Sequence, residues 1–186
     1  MTRIGVLFVC SGNRYRSPIA ERLFTARLGP HAQRFGVGSA GTIAVSGAPM
    51  SPRAADAIAD LGGGAGLFAA RQLTADLVGS ADVVLGLARE HREAAVRMCP
   101  AALRRCFVLE EFVRLTRAGR AGTDPARLVA RAAAARGRWP PAAPEADDVA
   151  DPDGLPEEAV RWCAVRIDQA VRRVAAALTV AVGADG

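Results

Sequence analysis

The sequence lacks several features that would place it in other classes of protein. It has no stretch of about 18 consecutive apolar residues, so it predicts no transmembrane helix, and no signal-peptide pattern precedes its first apolar run. Its two histidines, His31 and His91, lack the spacing of a metal site, and we interpret both as surface residues. Four cysteines among 186 residues are typical of a reducing cytoplasm and not of a disulfide framework. We therefore expect a cytoplasmic protein that uses neither a metal nor another cofactor.

Lysine is also absent: all 24 basic residues are arginine, and with 19 acidic residues they give a net charge of +5. The arginines are dispersed among alanines and acidic residues. Only 5% of residues are aromatic, so no basic run with stacking rings indicates a nucleic-acid partner. We interpret a denser group as a solvated helix face: Arg127, Arg131, Arg136 and Arg138. The positive charge instead favours anionic substrates, such as phosphorylated ones.

The alternation of apolar runs with helical patterns predicts a single α/β domain over residues 1–186, since 51% hydrophobic residues can form a full core. The strands are expected near Ile4–Val9, Arg34–Gly38, Asp82–Leu87 and Cys106–Leu109. The helices are expected near Ser17–Leu28, Pro52–Leu61, Glu90–Met98 and Pro156–Val182. This order favours a flavodoxin-like three-layer fold, with a four-stranded parallel sheet and helices on both faces.

A short polar loop joins the first strand to the first helix. Gly12 and Asn13 tolerate the positive φ angles of a sharp turn, and Pro18 suits the first helical position. Successive amides in such a loop form an anion-binding nest, and the following helix N-terminus reinforces it. We predict a phosphate-binding loop made of Ser11, Gly12, Asn13, Arg14, Tyr15 and Arg16.

Cys10 ends the first strand at the mouth of this loop, where the same field favours its thiolate form. The planar guanidinium of Arg16 can bind two phosphoryl oxygens at once. The spacing of these two residues is weak evidence for such a site by itself, because Cys99 and Arg105 have the same spacing without a preceding strand or a glycine. We interpret that second pair as surface sequence. The strand, glycine, serine and proline around Cys10 favour a nucleophile over a buried hydrophobe.

The segment from Cys10 to Pro18 resembles the signature loop of low-molecular-weight protein tyrosine phosphatases. The resemblance continues in order and covers essentially the whole chain except residues 117–146. It is carried by Ile19-Ala20-Glu21, Ser39-Ala40-Gly41-Thr42, Ala70-Arg71-Gln72-Leu73-Thr74, Ala81-Asp82-Val83-Val84-Leu85 and Asp151-Pro152. It implies a phosphatase that hydrolyses phosphotyrosine or another phosphomonoester, on a protein or a small molecule, through a phosphocysteine intermediate.

The resemblance assigns the chemical steps to three residues. Cys10 would attack phosphorus, Arg16 would bind the equatorial oxygens, and Asp151 would protonate the leaving oxygen and then activate water. Four aspartates lie within seven residues in the Asp151 region, and an ordinary solvated acidic loop is the plain alternative. Asp151 is preferred to Asp153 because the family's general acid is followed by proline, as Pro152 follows here.

The resemblance also assigns supporting residues and marks departures. Ser17 would hydrogen bond the Cys10 sulfur, and Asn13 would hold the loop in its turn with Ser39 as partner. Tyr15 stands where many members carry a second cysteine, and Arg14 occupies a loop position that helps line the pocket. The substrate therefore stays open.

Another departure follows the Asp-Pro pair, where Asp153-Gly154-Leu155 replace the usual tyrosines.

Three alternative functions stay open. An arsenate reductase of the same fold would need two further redox cysteines, for which Cys99 and Cys106 fall late in the chain. A protein arginine phosphatase is disfavoured by the positive charge of Arg14. A non-catalytic phosphoprotein-binding module would need neither a nucleophile nor a general acid.

Residues 117–146 form an insertion relative to the resemblance and lead directly into the Asp151 loop. The sequence predicts a helix within it that starts at Asp124-Pro125 and runs to Ala135. This helix could form a lid that selects substrates, or a solvent-facing helix with a linker. The second is favoured because only Leu128, Val129 and Trp139 offer substantial apolar surface.

Overall fold

A computed structural model describes residues 3–117, 124–138, 140–141, 143 and 145–182 of the chain. Its single sheet has four parallel strands in the order β2-β1-β3-β4. The strands are β1 Ile4–Cys10, β2 Phe35–Gly41, β3 Val83–Gly86 and β4 Cys106–Val108. All four strands predicted from the sequence are confirmed, and their boundaries differ from the predicted ones by at most three residues. The flavodoxin-like α/β prediction is confirmed with them.

Seven α-helices connect and cover these strands within the described residues. They are α1 Arg16–Leu28, α2 Pro52–Asp60, α3 Ala75–Ser80, α4 Arg89–Met98, α5 Leu109–Thr116, α6 Pro125–Ala135 and α7 Glu157–Val182. The sequence did not predict α3 and α5, which have six and eight residues and are too short for a clear helical period. None of the described helices is long and apolar enough to cross a membrane.

Alternating residues of β1 divide the core into two layers. Val6, Phe8 and Cys10 point to one side, where the apolar faces of α1, α5 and α7 pack. Leu7 and Val9 point to the other side, against apolar residues of α3 and α4. Because both faces of the sheet are covered, β1 can be apolar along its whole length, as expected for a parallel strand.

Cys10 lies at the carboxyl end of β1, between β2 and β3. The chain leaves β1 towards β2 on one side, and β3 extends the sheet on the other, so Cys10 occupies the topological switch point of the sheet. Gly41, at the end of β2, admits the loop after Cys10. A Cβ atom at Gly41 would lie 2.4 Å from the Ser11 carbonyl oxygen and 2.8 Å from the Asn13 amide nitrogen. A side chain at this position would push the loop away from β2.

The predicted helix of the 117–146 segment is confirmed as α6, but it is not a solvent-facing helix. Its residues Leu128, Val129 and Ala132 are buried in the main core cluster. Just after α6, Arg136 pairs with Glu111 of α5 at 2.9 Å and stacks 4.1 Å above the centre of the Phe107 ring. Packing against α5, α7 and the 3₁₀ turn before β4 therefore covers the apolar residues of α6.

The start of α6 also disagrees with the lid interpretation. Pro125 and Val129 line a cavity of about 720 Å³ together with Arg3 and Ile4. Ile4 begins β1, whereas Cys10 ends it. The start of α6 therefore lies near the amino end of β1, and Cys10 lies at its carboxyl end. Trp139, which was also considered as part of this segment, lies outside the described residues.

Candidate active site

The loop between β1 and α1 closes tightly around a single left-handed residue. Asn13 has φ of 53°, as predicted, whereas Gly12 does not have a positive φ, so the strain lies on Asn13 alone. The carbonyl groups of Cys10 and Ser11 accept hydrogen bonds from Thr42 and Ile43, at 2.9 and 3.0 Å. These two hydrogen bonds attach the loop to the segment after β2.

The helix after the loop begins earlier than the sequence suggested. It starts at Arg16, so Pro18 is its third residue and not its first. Pro18 is still tolerated because the first four amides of a helix have no intrahelical partner. The consequence is that Arg16 and Ser17 belong to the rigid first turn of α1, and both are buried.

The Cys10 sulfur is surrounded by groups that can donate hydrogen bonds. The Ser17 hydroxyl lies 2.9 Å from Sγ, and the Asn13 backbone amide donates to Sγ at 3.3 Å. Ser17 Oγ in turn accepts from the Asn13 side-chain amide at 2.9 Å. Cys10, Asn13 and Ser17 are all buried, so these hydrogen bonds form where water is largely excluded.

The Asn13 side chain also connects the loop to its surroundings. Its Nδ2 donates to Ser39 Oγ at 2.9 Å, and its Oδ1 accepts from the Arg71 backbone amide at 2.8 Å. The expected contact of Asn13 with Ser39 is therefore present. Ser39 Oγ donates onward to Glu21 at 2.5 Å, and the Arg71 side chain donates to the Ser39 carbonyl at 2.9 and 3.1 Å. Hydrogen bonds to Ser17, Ser39 and Arg71 therefore fix the side chain of Asn13, the one residue of the loop with a positive φ.

The Arg16 guanidinium lies at the other end of the loop, and the Arg16 side chain is only 5% exposed. Its Nη1 donates to the Val149 carbonyl at 3.1 Å, and its Nη2 donates to Ser11 Oγ at 3.1 Å. Nη2 also forms an ion pair with the Asp151 carboxylate. Arg16 thus links the loop directly to the segment that carries the predicted general acid.

The structure distinguishes the aspartates that crowd this segment. Asp147 pairs with Arg114, and Asp148 accepts from the Arg89 backbone amide at 2.8 Å. Asp153 is exposed, and its backbone amide donates to Asp151 Oδ1 at 3.2 Å. Of the four, Asp151 is the one whose carboxylate reaches Arg16.

His91 corrects an expectation, since it is not a surface residue but is fully buried at the start of α4. Its Nε2 lies 3.0 Å from Ser11 Oγ, so the ring contacts the phosphate-binding loop. Gly86 makes this approach possible, because a Cβ atom there would lie 2.7 Å from the Arg92 backbone nitrogen of α4. Burial and, secondarily, the positive charge of Arg16 lower the pKa of His91 to about 4. His31, by contrast, is half-buried in a 3₁₀ turn.

His91 should make the stability of the fold fall in mild acid. Its pKa is about 4 in the folded protein and 6.5 in its ordinary state, so the unfolded chain binds more protons between these values. The free energy of unfolding is therefore not reduced by His91 above about pH 6.5. It falls by roughly 3 kcal/mol as the pH is lowered from 6.5 through 4. Urea unfolding from pH 7.5 to 4 measures the loss. We expect His91→Gln to flatten the curve relative to wild type and His31→Gln to leave it unchanged. Parallel curves for wild type and His91→Gln would contradict the prediction.

The remaining cysteines do not reproduce the arrangement of Cys10. Cys106 begins β4, which β3 separates from β1, and it packs on the other face of the sheet from Cys10. Burial raises the pKa of Cys106 to about 11. Cys99 is half-buried, and the Cys99–Arg105 pair encloses a 3₁₀ turn instead of a phosphate-sized loop. Neither lies beside Cys10. Cys163 of α7 is nearer, since its thiol points to the Ala150 carbonyl at 3.9 Å, but burial raises its pKa to about 12.

The rim of the site is chemically mixed. Arg14 is exposed, and Tyr15 packs partly against the core. Ile43, next to the loop, is 76% exposed, and Leu155 beyond the Asp151 segment is 46% exposed. Among the described residues, no group of three or more histidine, cysteine or carboxylate side chains is arranged to hold a metal ion.

Sequence reasoning missed several residues that support the loop. Arg71 and Glu21 were quoted only as parts of resembling segments, although each bonds to Ser39. The signal for Gly41 was its place at the end of a strand that neighbours the loop. For His91 the sequence offered only its position shortly after the third strand, on an expected helix.

Together the fold and this loop define a class of protein: an α/β protein with a cysteine at the switch point of its sheet, within an arginine-closed loop, as in cysteine-dependent phosphatases. Residues 5–132 match the sequence model of the family described as "Low molecular weight phosphotyrosine protein phosphatase". The chain belongs to this family, so the resemblance inferred from its motifs is confirmed.

Individual relatives agree with this assignment. The protein-arginine-phosphatase of Bacillus subtilis (strain 168) is 31% identical over 108 residues, which is 58% of this chain and 71% of that protein. The low molecular weight protein-tyrosine-phosphatase Etp of Escherichia coli (strain K12) is 37% identical over 95 residues, 51% of this chain and 62% of that protein. The solved structure of the YwlE arginine phosphatase from Geobacillus stearothermophilus has a TM-score of 0.71 at 27% identity, covering 95% of this chain and 93% of that one.

Proposed function

We propose that this chain hydrolyses phosphomonoesters through a phosphocysteine formed on Cys10. The observation that carries the proposal is the environment of Sγ, which has the Ser17 hydroxyl at 2.9 Å and the Asn13 amide at 3.3 Å. Cys10 opens a loop whose final residue, Arg16, forms an ion pair with Asp151. A buried hydrophobe would need neither the donors nor the ion pair.

In the first step, the Cys10 thiolate attacks phosphorus and the bond from phosphorus to the leaving oxygen breaks. The Arg16 guanidinium and the loop amides bind the equatorial oxygens, where fixed donors stabilise the charge of the transition state. The phosphoryl group takes the place of the Asp151 carboxylate on Arg16. Asp151, released from the ion pair, takes up a proton from solvent or from the phosphate monoanion of the substrate and donates it to the leaving oxygen.

In the second step, Asp151 takes a proton from a water molecule whose oxygen attacks phosphorus. The bond from phosphorus to sulfur breaks, and its electron pair returns to Cys10 as the thiolate. Ser17 stabilises this leaving group through its hydrogen bond. The products are inorganic phosphate and the enzyme in its starting state.

The charge of the rim favours an oxygen ester over phosphoarginine as substrate. The family name refers to phosphotyrosine, whereas the relatives from Bacillus and Geobacillus are named arginine phosphatases. The guanidinium of phosphoarginine is cationic, and here Arg14 adds an exposed positive charge to the loop. Two like charges about 4 Å apart at a surface repel by roughly 1 to 4 kcal/mol.

We place this activity in the cytoplasm, where the four free cysteines would stay reduced.

The substrate class is tested by comparing kcat/KM for p-nitrophenyl phosphate and for phosphoarginine. Because Arg14 repels a guanidinium, we expect wild type to prefer the aryl ester and Arg14→Ala to improve phosphoarginine by about 5- to 50-fold. The aryl ester should change less than about threefold. Arg127→Ala, which removes an exposed arginine of α6 away from the Cys10 loop, is the matched control. A wild-type preference for phosphoarginine would overturn the substrate assignment, and no turnover of either compound would overturn the proposed function.

A further inference from the structure

His91 is a buried titratable residue that the two-step mechanism leaves unused. Its ring is fully buried, and Nε2 lies 3.0 Å from Ser11 Oγ and 3.3 Å from Glu90 Oε1. Nδ1 is also buried, and it has no hydrogen-bond partner in the part of the chain that the structure describes. A buried polar atom without a partner costs free energy, so the ring requires a physical explanation.

The contacts determine which ring nitrogen carries the proton. If Ser11 donated to Nε2, the proton would sit on Nδ1 and would be a buried donor without an acceptor, which is rare in proteins. If Nε2 carries the proton, it can donate to Ser11 Oγ, with the Glu90 carboxylate nearby as a further acceptor. In that case Nδ1 has no proton to donate, and only its lone pair lacks a hydrogen-bond partner. The contacts therefore favour the Nε2–H form.

This form determines what Ser11 can do. Ser11 Oγ already accepts a hydrogen bond from Arg16 Nη2 at 3.1 Å. A second bond from His91 uses its other lone pair, so the hydroxyl proton of Ser11 is left to donate. Arg16 and the Ser11 hydroxyl would then offer donors side by side at the mouth of the loop.

We propose that His91 is a positioning residue that donates through Nε2–H to Ser11 Oγ and so directs the Ser11 hydroxyl proton, next to Arg16, at the phosphoryl group. The proposal rests on the proposed phosphatase function and adds to it a specific role for the side chain of Ser11. The neutral ring suits this role, since burial and Arg16 lower its pKa to about 4 and it stays uncharged over the physiological range. The rigid first turn of α4 holds the ring against the loop.

A double-mutant cycle on kcat/KM for p-nitrophenyl phosphate tests the connection. We expect His91→Phe to lower kcat/KM by about 10- to 100-fold and His91→Gln, which keeps a donor, by less than about fivefold. In a Ser11→Ala background, His91→Phe should add less than about threefold, because its target is already gone. His31→Phe is the matched control. Multiplicative losses in the two backgrounds would overturn the proposal, since they indicate an effect of His91 independent of Ser11.

A spectroscopic measurement does not depend on turnover. Only two histidines are present, so ¹⁵N-labelled protein carrying His31→Gln has a single imidazole. We expect long-range ¹H–¹⁵N correlations to show the Nε2–H tautomer at pH 7. Binding of inorganic phosphate should weaken by similar factors in Ser11→Ala and His91→Phe, and by a smaller factor in His91→Gln, which keeps a donor. An Nδ1–H tautomer would overturn the proposal. If wild type binds phosphate but hydrolyses no ester, the proposed function fails while these measurements still decide the role of His91.

Discussion

Cys10→Ser should abolish turnover while leaving phosphate binding intact. The hydroxyl of serine is a far weaker nucleophile than a thiolate, and loss of a nucleophile costs on the order of 10⁴-fold or more in kcat. The loop itself should persist, because its shape depends on the Asn13 bonds to Ser39 and Arg71 and not on the sulfur. Initial rates with p-nitrophenyl phosphate and calorimetric titration with inorganic phosphate measure the two properties.

The sequence contains its own control for this experiment. Cys99 has an arginine, Arg105, at the same spacing as Arg16 from Cys10, but its pair encloses a 3₁₀ turn. We expect Cys99→Ser to retain wild-type turnover within about twofold, as for a substitution away from the site. A phosphorylated intermediate trapped by acid quenching should map to Cys10 in both wild type and Cys99→Ser. Turnover by Cys10→Ser within tenfold of wild type would refute the nucleophile assignment.

The second large effect is expected for Asp151→Asn, and it should depend on the leaving group. Phenol has a pKa near 10 and leaves poorly without a proton donor, so kcat for phenyl phosphate should fall by about 10² to 10⁴-fold. An activated ester such as dinitrophenyl phosphate needs little help and should lose less than about tenfold in the first step. Pre-steady-state bursts separate this step from hydrolysis of the phosphocysteine, which should slow for both esters because Asp151 also activates water.

Asp153→Asn is the control, because Asp153 is also an exposed aspartate of the same segment. It contributes only its backbone amide to Asp151, at 3.2 Å, so its substitution should change burst rates less than about threefold. Equal losses on both esters for Asp151→Asn would show that the residue acts only through its ion pair with Arg16. A larger leaving-group dependence for Asp153→Asn would transfer the role of general acid to that residue.

The residues of the loop could be predicted because the relevant physics is local. A fully apolar strand, a sharp turn and a helix start within 15 residues are enough to place Cys10 beside a helix N-terminus. Asn13 was identified on the same ground, and its φ of 53° agrees. The sequence was less informative where several residue types tolerate the same backbone. It assigned positive φ to Gly12 as well, and it placed Pro18 two residues too early in the helix.

Burial of polar residues could not be predicted in the same way. An isolated histidine on a helix fits a surface position, and the pattern around His91 contains nothing to contradict that interpretation. Its burial depends on Gly86 in a different element, which lets α4 approach the sheet. The insertion shows the same limit, because Leu128 and Val129 form a modest apolar face, and part of the surface that covers it, α5, was itself too short to predict.

Short-range patterns in the sequence were enough to predict the family, the parallel α/β fold, and the loop that places Cys10, Ser17 and Arg16 together. The folded structure was needed to show that Asp151 reaches Arg16 while Asp147, Asp148 and Asp153 make other contacts, because the four residues do not differ in type. Pro152 had favoured Asp151 only through the resemblance. The folded structure also showed that His91 belongs to the site. Both outcomes depend on contacts across 80 or more residues, which hydrophobic period and turn chemistry do not encode.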